Sequence, residues 1–381
     1  MKPSSWTFYN PVKVIFQPGA MKRLNDYVES TRVALVTSPG FRRRGVLDAI
    51  EQDLGDRLVA VVDDVKPNPD LNDVQAQSER LRPATPDTLV ALGGGSTIDT
   101  AKGLARLLAR ARGTSLAELL RDGRPAGSAP ALPVVAIPTT SGTGAEVTPF
   151  GTIWDYERKK KYSIVGDDLF PALAILDPEV TVGLPEEVTL TSGLDSISHA
   201  LESAWNRNAT PVTLGLVTRS LQLSMRTLPG VKATPGDTGA RARMMEASLL
   251  AGFAISQSRT ALAHAISYPL TSNFSLPHGL ACSFTLPALL VFNAASDDGR
   301  LADLARSLGY AGTTEFARGL SELFVRLGVG EYVAKYLPDR ASVLALSDRM
   351  FAPGRAENNL RPASEEQVRK IVAEALDALQ V

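Results

Sequence analysis

Five short stretches in the first half of the chain are almost continuously apolar: residues 33–37, 58–63, 88–92, 133–137 and 172–176. A strand with one wet face alternates apolar and polar positions, so unbroken runs of this length predict strands covered on both faces. Polar, helically patterned segments such as 70–81 and 98–110 lie between them. Strand and helix in alternation predict a largely parallel sheet flanked by helices. Residues 152–155 and 161–164 surround a charged turn and predict an added hairpin. Beyond residue 184 the texture changes. Helical periodicity covers 186–205, 212–228, 239–258, 260–270, 301–308, 314–327 and 364–379, and strand signals nearly vanish. The pattern predicts an α/β domain over 1–184 and an all-α domain over 185–381, with irregular stretches at 123–133 and 348–363.

Composition narrows the class of protein. Of 381 residues, 44% are apolar and 21% charged, and the formal net charge is −1. Without a long basic or acidic block, nucleic acid and membrane surfaces are not expected partners. The densest basic run, RKKK at 158–161, is too short to change that. The first residues, MKPSSWTFYNPVKV, lack the apolar core of a signal peptide, and no stretch approaches the length of a membrane span. A single cysteine, Cys282, allows no internal disulfide. Together these features predict a cytoplasmic protein.

The chain has three histidines, His199, His264 and His278. Asp195 precedes His199 by four residues in a helical segment, so both project from one face. His264 lies in a second helical segment and His278 opens a turn in LPHGL. One carboxylate and three imidazoles make a donor set for Fe2+ or Zn2+. The spacing is equally compatible with two core histidines and one loop histidine.

Two loops add to this. In LVALGGGSTIDTAKGLARLLA a strand ends at Leu92, glycines and Ser96 follow, and a helix begins. Backbone N–H groups and the helix dipole there suit a phosphate, although a tight turn with an N-capping Ser96 would read the same way. Asp99 and Lys102 fall in the first helical turns, where a surface position is also open. In AIPTTSGTGAEVTPF a second strand ends at Ile137, and Thr139, Thr140 and Thr143 crowd the loop after it. Open α/β sheets bind ligands at that end of their strands.

GGGSTIDTAK, PTTSGTGAEVTPF and the Asp195/His199/His264/His278 spacing closely resemble the iron-containing (group III) alcohol dehydrogenase family. The resemblance covers essentially the whole chain. KKYSIVG, LESAWNRNATPV and SRTALAHAISYPLT are similar to the branch that reduces phosphonoacetaldehyde. The resemblance implies a Rossmann-like nucleotide-binding domain followed by a helical metal-binding domain. It implies Asp195, His199, His264 and His278 as metal ligands, for Fe2+ with Zn2+ possible. It implies NADPH or NADH held by Gly94, Gly95, Ser96, Asp99, Thr139, Thr140, Thr143 and Lys161. The cofactor is then expected in the cleft between the domains, and a homodimer is the family's habit.

Three positions depart from the family pattern. Tyr268 stands where many members have a further histidine four residues after the third ligand, a position tied to proton relay. Ser38 replaces an aspartate that contacts the adenosine ribose, and Arg42, Arg43 and Arg44 follow it, which favours tolerance of NADPH. Arg259 replaces a glycine five residues before His264 and suits an anionic substrate, with Arg207 and Lys160 as weaker candidates. The expected activity is reduction of a small anionic aldehyde, with Tyr268 and Arg259 as candidate catalytic-site residues. Alternatives are a neutral short-chain aldehyde, a diol or sulfoacetaldehyde, and, in a different class, a cyclase of the dehydroquinate synthase type.

Overall fold

The structure, a computed structural model, describes residues 5–110, 113–123, 129–158, 160–351 and 354–381. Parts of the basic run and of the two irregular stretches therefore lie outside the described residues. The chain divides into two compact units: residues 10–140 with 145–182, and residues 1–9 with 141–144 and 183–381.

The first unit is built on a six-stranded sheet. Its strands are β1 (Lys13–Phe16), β2 (Val33–Thr37), β3 (Leu58–Val62), β4 (Thr88–Gly93), β5 (Val134–Pro138) and β8 (Leu173–Leu176). Their spatial order is β1-β8-β5-β4-β2-β3, and every pairing is parallel. The continuous apolar runs have a direct consequence. Val33 and Leu35 of β2 pack into one core, while Ala34 and Val36 pack into another. Successive side chains point to opposite faces, so each strand feeds two cores, one per face. β6 (Phe150–Asp155) and β7 (Lys160–Val165) form the expected antiparallel hairpin.

β1 is the strand the pattern does not reveal. Its four residues KVIF sit between Pro11 and Pro18, and only Val14 and Ile15 are continuous apolar positions away from the exposed Phe16. Pairing with β8, through Val14↔Ala174 and Ile15↔Ile175, makes it a strand.

The second unit is helical among the described residues. Its main helices are Glu186–Ala204, Pro211–Ala233, Thr238–Ser258, Leu262–Phe274, Leu286–Ala294, Thr313–Leu327 and Glu365–Leu379. One core runs through them, from Leu190 to Leu376. The helix expected to stop at residue 228 continues to Ala233, past Pro229. Proline removes one N–H and crowds the carbonyl four residues back, yet the helix runs on for one more turn. Helix Leu286–Ala294, absent from the expected set, opens on LP and has apolar residues on all sides, so its period is blank.

Candidate metal centre and cofactor loops

The metal candidates all come from the helical unit. Asp195 and His199 lie one turn apart near the middle of helix Glu186–Ala204, and both are buried. His264 is the third residue of helix Leu262–Phe274 and is also buried. His278 opens a single-turn helix, His278–Ala281, and is half-buried. Gly279 lets this turn approach closely, because a Cβ there would stand 1.9 Å from the Thr191 carbonyl oxygen.

Asp195 Oδ1 is 3.7 Å from His199 Nε2 and 3.7 Å from His264 Nε2. These separations are too long for hydrogen bonds. They suit two donors on one ion, since donors about 2.1 Å from a tetrahedral metal stand roughly 3.4 Å apart. The His199 and His264 rings stack at 4.9 Å between centroids, and His278 meets His264 edge-on at 5.1 Å.

Ring orientation is enforced from behind. His199 Nδ1 lies 3.2 Å from the Gly142 carbonyl oxygen, so Nδ1 carries the proton and Nε2 keeps its lone pair. His264 Nδ1 donates to Glu202 Oε2 at 2.6 Å. The other oxygen of Glu202 accepts from the His264 backbone N–H at 3.1 Å. That N–H is one of the unpaired donors of a helix's first turn, and Ala261 offers no side-chain cap. Glu202 therefore caps the helix and fixes the ring in one arrangement. His264 Nε2 is buried without a hydrogen-bond partner. A buried lone pair aimed at a carboxylate and two other imidazoles fits a divalent metal, and nothing else in the cluster satisfies it.

Charge follows the same logic. Burial pushes Asp195 upward, but the attraction of His199, His278 and His264 outweighs it and holds the carboxyl below its usual range. Burial lowers His199, against the pull of Asp195. Glu202, fully buried, would be driven up by desolvation, yet its contacts with His264 keep it low.

Two members of this cluster escape a search of the sequence for histidine. Glu202 follows His199 by three residues and Asp195 by seven, on one helical face. An acid at that spacing on a buried helix is the signal that was there to read. Cys282, one turn after His278, brings its sulfur within 4.8 Å of the ligand atoms of Asp195, His264 and His278. Its thiol donates to Asp195 Oδ1 at 3.4 Å. Burial, reinforced by the Asp195 charge, pushes the thiol well above its usual range and keeps that proton in place.

The cofactor candidates gather in the sheet unit. Gly94 is the N-cap of helix Gly95–Leu108 at the end of β4 and provides no side-chain cap. Ser96 is not the cap; it lies inside the first turn, and its hydroxyl accepts from the Asn68 N–H at 3.1 Å. Thr139 and Thr140 follow β5, the neighbour of β4. A Cβ on Gly94 would stand 3.1 Å from Thr140 Oγ1, so the two loops meet. Ser38 follows β2 on the other side of β4. Three loops thus line the carboxyl ends of adjacent strands, next to the point where the strand order reverses. Thr143 belongs by its contacts to the helical unit.

Asp99 and Lys102 are not surface residues. Lys102 is fully buried, and its ammonium donates to the carbonyls of Ala145 (2.7 Å), Thr148 (2.8 Å) and Phe150 (2.8 Å) and to Thr148 Oγ1 (3.1 Å). Asp99 Oδ2 accepts from the Thr152 N–H at 2.8 Å. Burial lowers Lys102 to about 8, opposed by Asp99 and Glu146. Burial raises Asp99 to about 6, opposed by Lys102, the Thr152 N–H and Lys161. Lys161 also lies over the Trp154 ring at 5.6 Å.

Of the cations singled out, Arg207 and Lys160 are exposed. Arg42 pairs with Asp63, and Arg44 stacks on Phe41. Arg259 caps helix Thr238–Ser258 with φ +67° and ψ 171°. Tyr268 lies one turn after His264, and its hydroxyl accepts from Arg355 Nε at 3.2 Å.

A parallel-sheet unit with glycine and threonine loops, and a helical unit with a histidine-rich cluster, are the parts that two family models match. Residues 11–178 match the description iron-containing alcohol dehydrogenase, and residues 189–376 match the C-terminal part of the Fe-containing alcohol dehydrogenase family. The chain belongs to the iron-containing alcohol dehydrogenase family. It is 38% identical over 279 residues to a phosphonoacetaldehyde reductase of Streptomyces viridochromogenes, covering 71% of this chain and 69% of the relative. It is 29% identical over 390 residues to a sulfoacetaldehyde reductase of Bilophila wadsworthia, covering 96% and 97%. The crystal structure of a sulfoacetaldehyde reductase from Bifidobacterium kashiwanohense in complex with NAD+ superposes with TM-score 0.89 at 30% identity, over 98% and 99% of the two chains. No described helix is long and apolar enough to cross a membrane.

Proposed function

We propose that this dehydrogenase reduces a small anionic aldehyde to its primary alcohol with NAD(P)H, and that the reaction is phosphonoacetaldehyde to 2-hydroxyethylphosphonate. Aldehyde, NAD(P)H and one proton yield the alcohol and NAD(P)+. When bound at Asp195, His199, His264 and His278, iron supplies Lewis acidity to the carbonyl oxygen, and the dinucleotide supplies hydride.

The observation that carries the substrate reading is the backbone of Arg259. Its φ of +67° with ψ 171° lies in a region that is essentially glycine's alone. A side chain there costs about 1–3 kcal/mol, so a glycine would be the stable choice. The carbonyl of Arg259 is held in place by Asn206 Nδ2 at 3.0 Å. A guanidinium kept at such a cost five residues from His264 supports recognition of an anionic group. The similarity to reductases of two anionic aldehydes supports the same reading.

The chain's remaining roles follow from position. Gly94, Gly95 and Ser96 offer first-turn amides to a pyrophosphate, with Thr139, Thr140, Thr143, Asp99 and Lys161 around the rest of the dinucleotide. Ser38 leaves the adenosine ribose site without a repelling carboxylate, which admits NADPH as well as NADH. Tyr268 Oη, beside bound water and a cofactor hydroxyl, is a group able to pass a proton to the alkoxide.

The test is oxidation of NADPH and NADH at 340 nm by iron-loaded enzyme with phosphonoacetaldehyde, sulfoacetaldehyde and propanal in turn. The proposal expects kcat/KM for phosphonoacetaldehyde to exceed that for propanal at least tenfold. A higher value for sulfoacetaldehyde would move the assignment to the sulfonate. Equal or better use of propanal would end the anionic-substrate reading.

A further inference from the structure

Arg355 lies outside every motif that defines the family resemblance. Its segment is nevertheless tied to the elements that carry the metal candidates. The Arg207 N–H donates to the Asn358 carbonyl at 2.8 Å, and the Leu360 N–H donates to the Trp205 carbonyl at 2.8 Å. Asn206 and Asn359 form an isolated antiparallel bridge. Asn358 Nδ2 donates to the Thr260 carbonyl at 2.9 Å. The segment is therefore fastened both to the end of the Asp195–His199 helix and to the residue after Arg259, just before the His264 helix begins.

From this segment Arg355 reaches Tyr268, donating through Nε to the phenol oxygen at 3.2 Å. Its Nη1 donates to the carbonyl of its neighbour Gly354 at 3.1 Å. Tyr268 and His264 share a face of their helix, about 6 Å apart along the axis. Arg355 is half-buried, and a group that stays charged at any working pH is thereby hydrogen-bonded to a side chain that starts one helical turn after a metal-ligand candidate. In a two-carbon aldehyde the anionic head is carried on the carbon next to the carbonyl, so its counter-cation must stand close to the metal.

We propose that Arg355 is a specificity-determining residue that anchors the anionic head of the substrate, with Tyr268 holding the guanidinium in position. The proposal rests on the anionic-aldehyde reading above and gives that reading a second cation besides Arg259. A planar guanidinium offers two parallel N–H groups to a tetrahedral phosphonate, which a lysine ammonium does not.

The test compares wild type, Arg355→Ala, Arg355→Lys, Tyr268→Phe and Arg259→Gly. For each, kcat and KM are measured with phosphonoacetaldehyde and with propanal, and Ki is measured for phosphonoacetate, an unreactive anion, against propanal. The proposal expects Arg355→Ala to lower the phosphonoacetaldehyde/propanal ratio of kcat/KM by 10-fold to 100-fold, chiefly through KM. The phosphonoacetate Ki should rise by a similar factor, and Arg355→Lys should recover part of both. Tyr268→Phe should shift the same ratio in the same direction, by less. Parallel losses on both aldehydes with an unchanged Ki would make Arg355 a structural residue and overturn the proposal. A ratio lost in Arg259→Gly but kept in Arg355→Ala would overturn it while leaving the anionic-aldehyde reading intact. A wild type that does not favour phosphonoacetaldehyde over propanal would overturn both.

Discussion

His264 is held from both sides of its ring. Glu202 accepts the hydrogen bond of Nδ1–H at 2.6 Å, and Nε2 is left buried and facing Asp195. A carboxylate behind a ligating imidazole fixes its tautomer and raises its basicity, and loss of such a partner typically costs 10-fold to 100-fold in metal affinity. Glu202→Gln should therefore weaken Fe2+ or Co2+ binding by roughly that factor, because an amide accepts less strongly and carries no charge. Titration of apoprotein with Co2+, followed by its visible absorption, reads this directly. Unchanged affinity would reduce Glu202 to a helix cap. At this scale the sequence was legible where residue types are rare. Three histidines and Asp195 stand out, whereas Glu202 is one of 41 acidic residues and only its i+7 phase from Asp195 marks it. Arg355 carries no local signal at all, because a hydrogen bond across 87 positions has no sequence period.

Individual elements owe their shape to buried charge as much as to periodicity. Lys102 projects from helix Gly95–Leu108 and ties together the carbonyls of Ala145, Thr148 and Phe150, the segment that leads into β6. Glu146 sits in that segment almost wholly buried, and desolvation raises its carboxyl from 4.5 to about 7 despite Lys102. The folded state thus binds a proton more tightly than the unfolded chain. The stability this contributes is complete below about pH 4.5 and is lost as pH rises through 7. The full effect is on the order of 3 kcal/mol. Glu146→Gln, which mimics the protonated acid, should remove the share of the decline that Glu146 causes, leaving that of Asp99. Urea unfolding at pH 5.5 and pH 8 checks it: wild type should lose more stability than the variant between the two. Parallel losses would mean that Glu146 titrates normally. The role of Lys102 was not legible, because the spacing in STIDTAK also fits a solvated first turn. The strands were legible because Val33–Thr37 and Thr88–Gly93 are apolar on both faces. β1 was not, because its strand character comes from β8.

The whole molecule combines a dinucleotide-type sheet unit with a helical unit that assembles four metal-ligand candidates from three helices. The change of texture near Leu184 falls close to the break at Gly183. What the pattern could not convey is that 141–144 packs with the helical unit, where the Gly142 carbonyl meets His199. Family membership sets aside the cyclase alternative. We propose that Asp195, His199, His264 and His278 hold one catalytic metal. The most direct measurement is metal content per chain alongside NAD(P)H oxidation, in wild type, chelator-stripped wild type and His264→Ala. Wild type should carry about one iron per chain and His264→Ala little, with loss of nearly all turnover in both metal-poor samples and Fe2+ restoring only the stripped wild type. Full turnover by metal-free protein would contradict it.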